Sequence, residues 1–296
     1  APGRPRRHAA PVTVLEALRQ ASARLRSAGV PSPEHDAEVL LRHVLGWDRA
    51  RLVADGPAPL APADETSYLR LVDERARRRP LQHLTGTQWF WKHEFRVTPD
   101  VLVPRPETEL LVEAALELLR DRERPRVVDV GTGSGCIALS LAGERPDAEI
   151  HATDISEPAL AVARDNALRL GFQDRVTFRR GDLLEPVGAL TGRLDLVVSN
   201  PPYVSVADLH GLAPEVRLHD PHQALIPPGD RLSVYRRLAP EAARLLRPGG
   251  AVAVEVGQGM GDEVVREMER AGLLVSSVRP DLAGIPRVVI AYRAMG

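Results

Sequence analysis

The chain has 296 residues, 44% of them apolar, enough for a sizeable core and, at roughly 100 to 200 residues per domain, for two domains. Its 39 basic and 40 acidic side chains leave a net charge of -1, so no global field draws it to nucleic acid or a membrane. One cysteine, Cys136, excludes an internal disulfide and a cysteine-rich metal site and fits a reducing cytoplasm.

The opening residues 1–10, APGRPRRHAA, lack the apolar stretch of a signal peptide and are expected to form a disordered tail. No apolar run approaches the roughly 18 residues of a membrane span. Residues 11–84 read as a small helical domain. VTVLEALRQASARLRSAG and SPEHDAEVLLRHVLGW carry leucines and valines at helical spacing, the second with Ser32 as N-cap and Pro33 at the first helical position. A third helix ends in the basic cluster Arg75, Arg77, Arg78 and Arg79, expected to be a solvated helix end or a greeting to an acidic partner. Residues 85–105 are expected to hold a linking β-hairpin, with Trp89, Phe90 and Trp91 as its core.

From 106 to 296 the period switches. PETELLVEAALELLRD predicts a helix, RVVDV a buried strand, GCIALSLAG a helix, AEIHATD a strand, and SEPALAVARDNALRLG a helix capped by Ser156. RVTFRR, LDLVVSN and AVAVEVG follow as strands, with helices between the later ones. Such alternation implies an α/β domain with a parallel, doubly wound sheet, whose ligands bind at the carboxyl ends of the strands.

The chemistry-bearing residues lie at those ends. Asp129 closes one strand, and Gly131, Gly133 and Gly135 form the turn into the next helix, where positive φ and close ligand approach favour glycine. The compact spacing G-T-G-S-G resembles the first motif of S-adenosylmethionine-dependent methyltransferases. Asp154 ends the next strand, where a carboxylate offers two acceptors to a ribose diol or a charge to a helix N-terminus. Asp182, ending the strand after that, suits either an adenine contact or an ordinary turn.

SNPPYV is the most distinctive stretch. Pro201 and Pro202 have fixed φ and no N–H, so the chain after Asn200 is stiff and its carbonyls are free to accept. The Asn200 side-chain oxygen and the Pro201 carbonyl can take both hydrogens of a planar NH2 group while the Tyr203 ring stacks on its face. Two such acceptors concentrate electron density on a delocalised nitrogen and aim it at an electrophilic methyl. An amide and an exocyclic adenine amine both fit this corner.

Taken together, PLQHLTG at 80–86, VLVPRPETELLVE at 101–113, VVDVGTGSGCIALSLA, SNPPYV, LLRPGG and DLAGIPRVV make the chain resemble HemK/PrmC-type peptide chain release factor glutamine methyltransferases over nearly its whole length. The resemblance implies a seven-stranded, Rossmann-like methyltransferase domain joined by the β-hairpin to a helical domain that recognises the substrate. It implies S-adenosylmethionine as methyl donor and, as acceptor, the glutamine of the Gly-Gly-Gln loop of class I release factors. Gly131, Thr132, Gly133, Ser134, Gly135, Asp154, Asp182, Leu183 and Asn200 would hold the cofactor. Asn200, Pro201, Pro202 and Tyr203 would hold the glutamine, with Asn200, Pro201 and Tyr203 at the reacting amide. A cytoplasmic monomer without direct nucleic-acid contact is expected. Methylation of a ribosomal-protein glutamine, or of adenine in DNA or RNA, would use the same corner. Two positions depart from the family pattern: Arg231 stands where glycine is general, and Leu183 where some members carry an aromatic.

The remaining conspicuous residues have plain readings. The nine histidines show no metal-ligand spacing. Cys136 is expected to be a small buried filler, and Arg105, Glu107, Thr108 and Glu109 to lie near the pocket and order it.

Overall fold

The computed structural model describes residues 11–295, so the expected tail over 1–10 lies outside the described residues. Two compact units emerge, one running through Thr85 together with Pro214–His219, the other comprising Gly86–Ala213 and the chain from Asp220 onward.

The first unit contains α1 (Val14–Ser27), α2 (Pro33–Leu45), α3 (Arg49–Ala54), α4 (Pro62–Ala76) and α5 (Leu81–Thr85). Their apolar stripes meet in a core that includes Leu25, Leu40, Leu41, Tyr68 and Val72. Thr13 and Glu16 close a capping box on α1. Ser32 occupies the N-cap position of α2, but its side chain makes no capping bond, and Pro33 at the first turn removes one donor that would have needed one.

The basic cluster is not the solvated helix end that composition predicts. Arg75 is 5% exposed, with Nε 2.7 Å from Asp36 and Nη1 2.9 Å from Glu215. Arg78, at φ +68°, forks onto both Glu215 oxygens at 2.8 Å. A planar guanidinium matched to a carboxylate holds these side chains in, and only Arg77 of the four is exposed.

In the second unit, β1 (Thr87–Phe90) and β2 (His93–Arg96) form the hairpin. It is shorter than expected, because a two-residue turn with Trp91 at φ +55° closes it and pairing stops at Arg96. Phe90 and Phe95 are buried edge to face, 6.1 Å apart. Trp89 is 65% exposed, contrary to its expected place in the core, because strand alternation turns it away from Phe90.

A 3-10 turn at Pro106–Thr108 leads into α6 (Glu109–Leu119), then β3 (Arg126–Val130), α7 (Cys136–Glu144), β4 (Glu149–Asp154), α8 (Glu157–Leu170), β5 (Val176–Arg180) and β6 (Leu194–Ser199). After α9 (Pro214–His219) come α10 (His222–Leu225), α11 (Ser233–Leu245), β7 (Leu246–Glu255), α12 (Gly261–Arg270), β8 (Leu273–Pro280) and β9 (Pro286–Arg293). The seven-stranded sheet has the order β5-β4-β3-β6-β7-β9-β8. It is mixed rather than wholly parallel. The α12 crossover carries β8 one strand beyond β7, and the short link from β8 returns β9 antiparallel into the gap.

Alternation along each central strand feeds two cores. Val127, Leu196 and Val198 pack on one face with α6 and α7, while Val128, Val197 and Val252 pack on the other with α11 and α12. Strand order reverses between β3 and β6, whose carboxyl ends are Val130 and Ser199. Ser199 Oγ donates to the Val130 carbonyl at 2.8 Å and ties these ends together. No helix among the described residues is long and apolar enough to cross a membrane.

Candidate active site

A cavity of about 490 Å³ opens at this switch point, well within the size range of small-molecule sites. Gly131, Thr132, Gly133 and Ser134 line it, as do Asp154, Asp182, Leu183, Asn200, Pro201 and Pro202. Every predicted site residue except Gly135 and Tyr203 therefore meets in one place.

The turn after β3 is held from beneath. Asp129 is fully buried and accepts from Thr132 Oγ1 at 2.6 Å and from the Ala138 N–H at 3.2 Å. Burial pushes its carboxyl up to about 7. The N–H groups of Gly131 and Thr132 both donate to the Thr153 carbonyl, at 2.9 and 3.0 Å. Gly131 and Gly133 have φ of +72° and +55°, and a β-carbon on either would meet open space. Gly135 serves another purpose than ligand approach. At φ +82°, its added β-carbon would lie 3.2 Å from that of Ala163, so this glycine lets α7 and α8 pack.

Asp154 is anchored by backbone, accepting from the N–H of Gly133 and of Ser156 at 2.9 Å each. Burial raises its carboxyl pKa against those hydrogen bonds. Each oxygen retains a further lone pair, so a diol can still be accepted. Ser156 caps α8 as expected, its hydroxyl accepting from the Ala159 N–H at 3.2 Å. Asp182 pairs with Arg237. Leu183 takes φ +46°, rare for a branched side chain, and its carbonyl accepts from Thr153 Oγ1 at 2.8 Å.

Asn200 Nδ2 donates to Thr108 Oγ1 at 3.1 Å, which leaves the side-chain oxygen as the acceptor. Tyr203 is absent from the cavity lining. Its ring packs beside Gly257, where an added β-carbon would come within 2.8 Å of it, against the core that holds Val256 and Met260. Burial pushes its hydroxyl up to about 12. The expected stacking of this ring on the substrate is thus not built into the cavity wall.

Of the PRPETE residues, Pro104, Arg105 and Thr108 line the cavity. Glu109 instead accepts from the Trp91 N–H at 2.7 Å, and Glu107 is exposed. Arg105 holds Asp220 at 2.7 Å. Burial pushes the Asp220 carboxyl up to about 6, against the pull of Arg105. Arg231 pairs with Glu263 at 2.7 Å and needs no positive φ, which falls on Gly229 instead. Cys136 is buried, and burial pushes its thiol up to about 12.

Residues 16–86 match the family model described as the PrmC N-terminal domain, and residues 106–247 match the Methyltransferase small domain. A release factor glutamine methyltransferase of Deinococcus radiodurans is 48% identical over 94% of this chain and 98% of its own length. Relatives of the same name from Moorella thermoacetica and Cereibacter sphaeroides are 46% and 45% identical, covering 95% and 93% of this chain and 99% and 97% of theirs. The chain belongs to the release factor glutamine methyltransferase family.

Solved structures agree on the fold. The human METTL16 catalytic domain, solved with an RNA hairpin, superposes with a TM-score of 0.55 at 15% identity, over 67% of this chain and 74% of that one. A methyltransferase from Pyrococcus furiosus gives 0.51 at 18% identity, over 75% and 98%. Sequence reasoning missed Arg237 and Gln223, which also line the cavity. Nothing local to SVYRRL marks Arg237, which is tied to the site by its pairing with Asp182, 55 residues upstream.

Proposed function

We propose that the chain transfers a methyl group from S-adenosylmethionine to the side-chain amide nitrogen of the glutamine in the Gly-Gly-Gln loop of class I peptide chain release factors. The observation that carries this reading is the opening of the Asn200–Pro201–Pro202 corner onto the same cavity as the glycine turn and Asp154. Family membership supports glutamine over adenine as the acceptor.

The cavity fits the cofactor in three respects. Gly131 and Gly133 leave open space where β-carbons would stand, Asp154 keeps acceptor capacity for the ribose, and Asp182 and Leu183 lie on the same wall. When bound, S-adenosylmethionine supplies an electrophilic sulfonium methyl. The chain's part is to bind and orient. Asn200 Oδ1 and the Pro201 carbonyl accept the two amide hydrogens of the glutamine, and the prolines hold those acceptors rigid. This pre-set geometry concentrates electron density on the amide nitrogen and directs its lone pair. Tyr203 braces the corner from the Gly257 side. The helical unit selects the protein substrate outside the pocket. The reading implies a cytoplasmic enzyme and requires neither a second copy nor nucleic acid.

The test is transfer of radiolabelled methyl from S-adenosylmethionine to a purified release factor, beside its Gly-Gly-Gln glutamine-to-alanine variant, a ribosomal-protein fraction and DNA. Label on the unaltered release factor alone is expected. Label on DNA or on ribosomal protein instead would assign a different acceptor.

A further inference from the structure

Leu183 holds a left-handed backbone, φ +46°, on the wall of the cavity. For a residue other than glycine that conformation is strained and persists only where the surroundings over-determine it. Here they act on a single peptide group. The Leu183 carbonyl accepts from Thr153 Oγ1 at 2.8 Å, and the Leu184 N–H donates to Glu241 Oε2 at 3.1 Å. The peptide that follows the strained residue is therefore pinned at its oxygen by β4 and at its nitrogen by α11. Glu241 lies one turn beyond Arg237 on that helix, so the same helical face also pairs with Asp182.

Thr153 has a second attachment. It is 1% exposed, and its carbonyl accepts from the N–H groups of Gly131 and Thr132 at 2.9 and 3.0 Å. One residue thus ties the glycine turn after β3 to the turn after β5.

The strained turn leaves two groups unspent. The Leu183 N–H makes no hydrogen bond among the described residues, and the Asp182 carboxylate keeps lone pairs beyond its pairing with Arg237. An acceptor and a donor on successive residues match the edge of adenine, which offers its N6 amine as donor and N1 as acceptor. Hypoxanthine presents a carbonyl and an N1–H there, the reverse pattern.

We propose that Thr153 and Glu241 are positioning residues that clamp the Leu183–Leu184 peptide and so hold Asp182 and Leu183 against the adenine of S-adenosylmethionine. The proposal rests on the reading of Asp182 and Leu183 as the adenine wall. Both residues act through the turn.

Calorimetric titration of the full chain with S-adenosylhomocysteine and with S-inosylhomocysteine, which differs only in its base, decides the matter. The unaltered chain should bind the adenosyl ligand at least about tenfold more tightly. Thr153→Val and Glu241→Met should each weaken the adenosyl ligand about tenfold and the inosyl ligand by no more than about twofold, so that the preference collapses. Thr153→Ser and Glu241→Gln, which keep the donor and the acceptor, should preserve it. In a Leu183→Gly background glycine takes the left-handed conformation without support, so Thr153→Val should there cost the adenosyl ligand no more than about threefold. Glu241 is half-buried, and Glu241→Met carries the test should Thr153→Val fail to fold. Equal losses for both ligands, unchanged adenosyl affinity in the clamp variants, or the full penalty in the Leu183→Gly background would each overturn the proposal. If the unaltered chain binds the two ligands alike, the adenine reading of this wall fails, while the Leu183→Gly comparison still decides whether the clamp sets the turn.

Discussion

Gly135 stands so close to Ala163 that a β-carbon on the glycine would lie 3.2 Å from the alanine's, and only 3.0 Å from Leu139 Cδ1. The glycine turn therefore has two jobs divided among its members. Gly135→Ala should cost about 2 kcal/mol or more, from left-handed strain and overpacking together, and lower Tm by several degrees. Gly133→Ala, with open space at its β-carbon, should cost only about 1 kcal/mol of backbone strain but weaken cofactor binding at least as much as Gly135→Ala does. Thermal melts and calorimetric titration with S-adenosylmethionine separate the two.

Under the proposed mechanism, Asn200→Ala removes an acceptor for the substrate nitrogen. Losses from deleting one such preorganised group run to about a hundredfold or more in kcat, and that is the expected effect here. Cofactor affinity should fall by no more than about tenfold, because Asp154 and the glycine turn remain. Single-turnover methyl transfer and calorimetry on the same preparation provide the check, and near-normal turnover would refute the assigned role.

Much of this site was legible because one rule, ligands at strand ends, applies to short stretches of sequence. Asp154, Asp182 and Asn200 follow from it directly, and so do the open faces of Gly131 and Gly133. The errors share a physical origin in partners distant along the chain. Nothing local to RARRR reveals that Glu215, far downstream, will draw in Arg75 and Arg78. Gly257 similarly decides where the Tyr203 ring lies, and Thr108 decides which way the Asn200 amide faces. Trp89 was a mistake of register: hairpin aromatics alternate, so neighbours in sequence cannot share one core face. The antiparallel β9 follows from a connection too short to hold a crossover helix.

The Asp129 carboxyl makes stability depend on pH in a direction opposite to that of a salt-bridged aspartate. Its pKa is pushed up to about 7 in the folded chain and is about 4 when unfolded. Between those values the folded protein holds a proton that the unfolded chain has released, so this group's contribution weakens as pH rises through the window. Asp129→Asn carries no such proton. The Tm of the variant relative to the unaltered protein should therefore climb between about pH 4 and pH 7. Melts across that range in cofactor-free buffer measure the difference, and a flat or falling difference would contradict it.

The clasp of Glu215 by Arg75 and Arg78 changes what it means to take this molecule apart. Pro214–His219 belongs to the helical unit although chain of the other unit runs on both sides of it, so the backbone passes between the units at three points. A single proteolytic cut after Thr85 would leave the halves still joined through Glu215's ion pairs. A recombinant fragment starting at Gly86 would carry a carboxylate built for two absent guanidiniums, a few residues upstream of Pro221, which borders the cavity. Domain exchange among relatives would accordingly have to move two separate stretches of gene together.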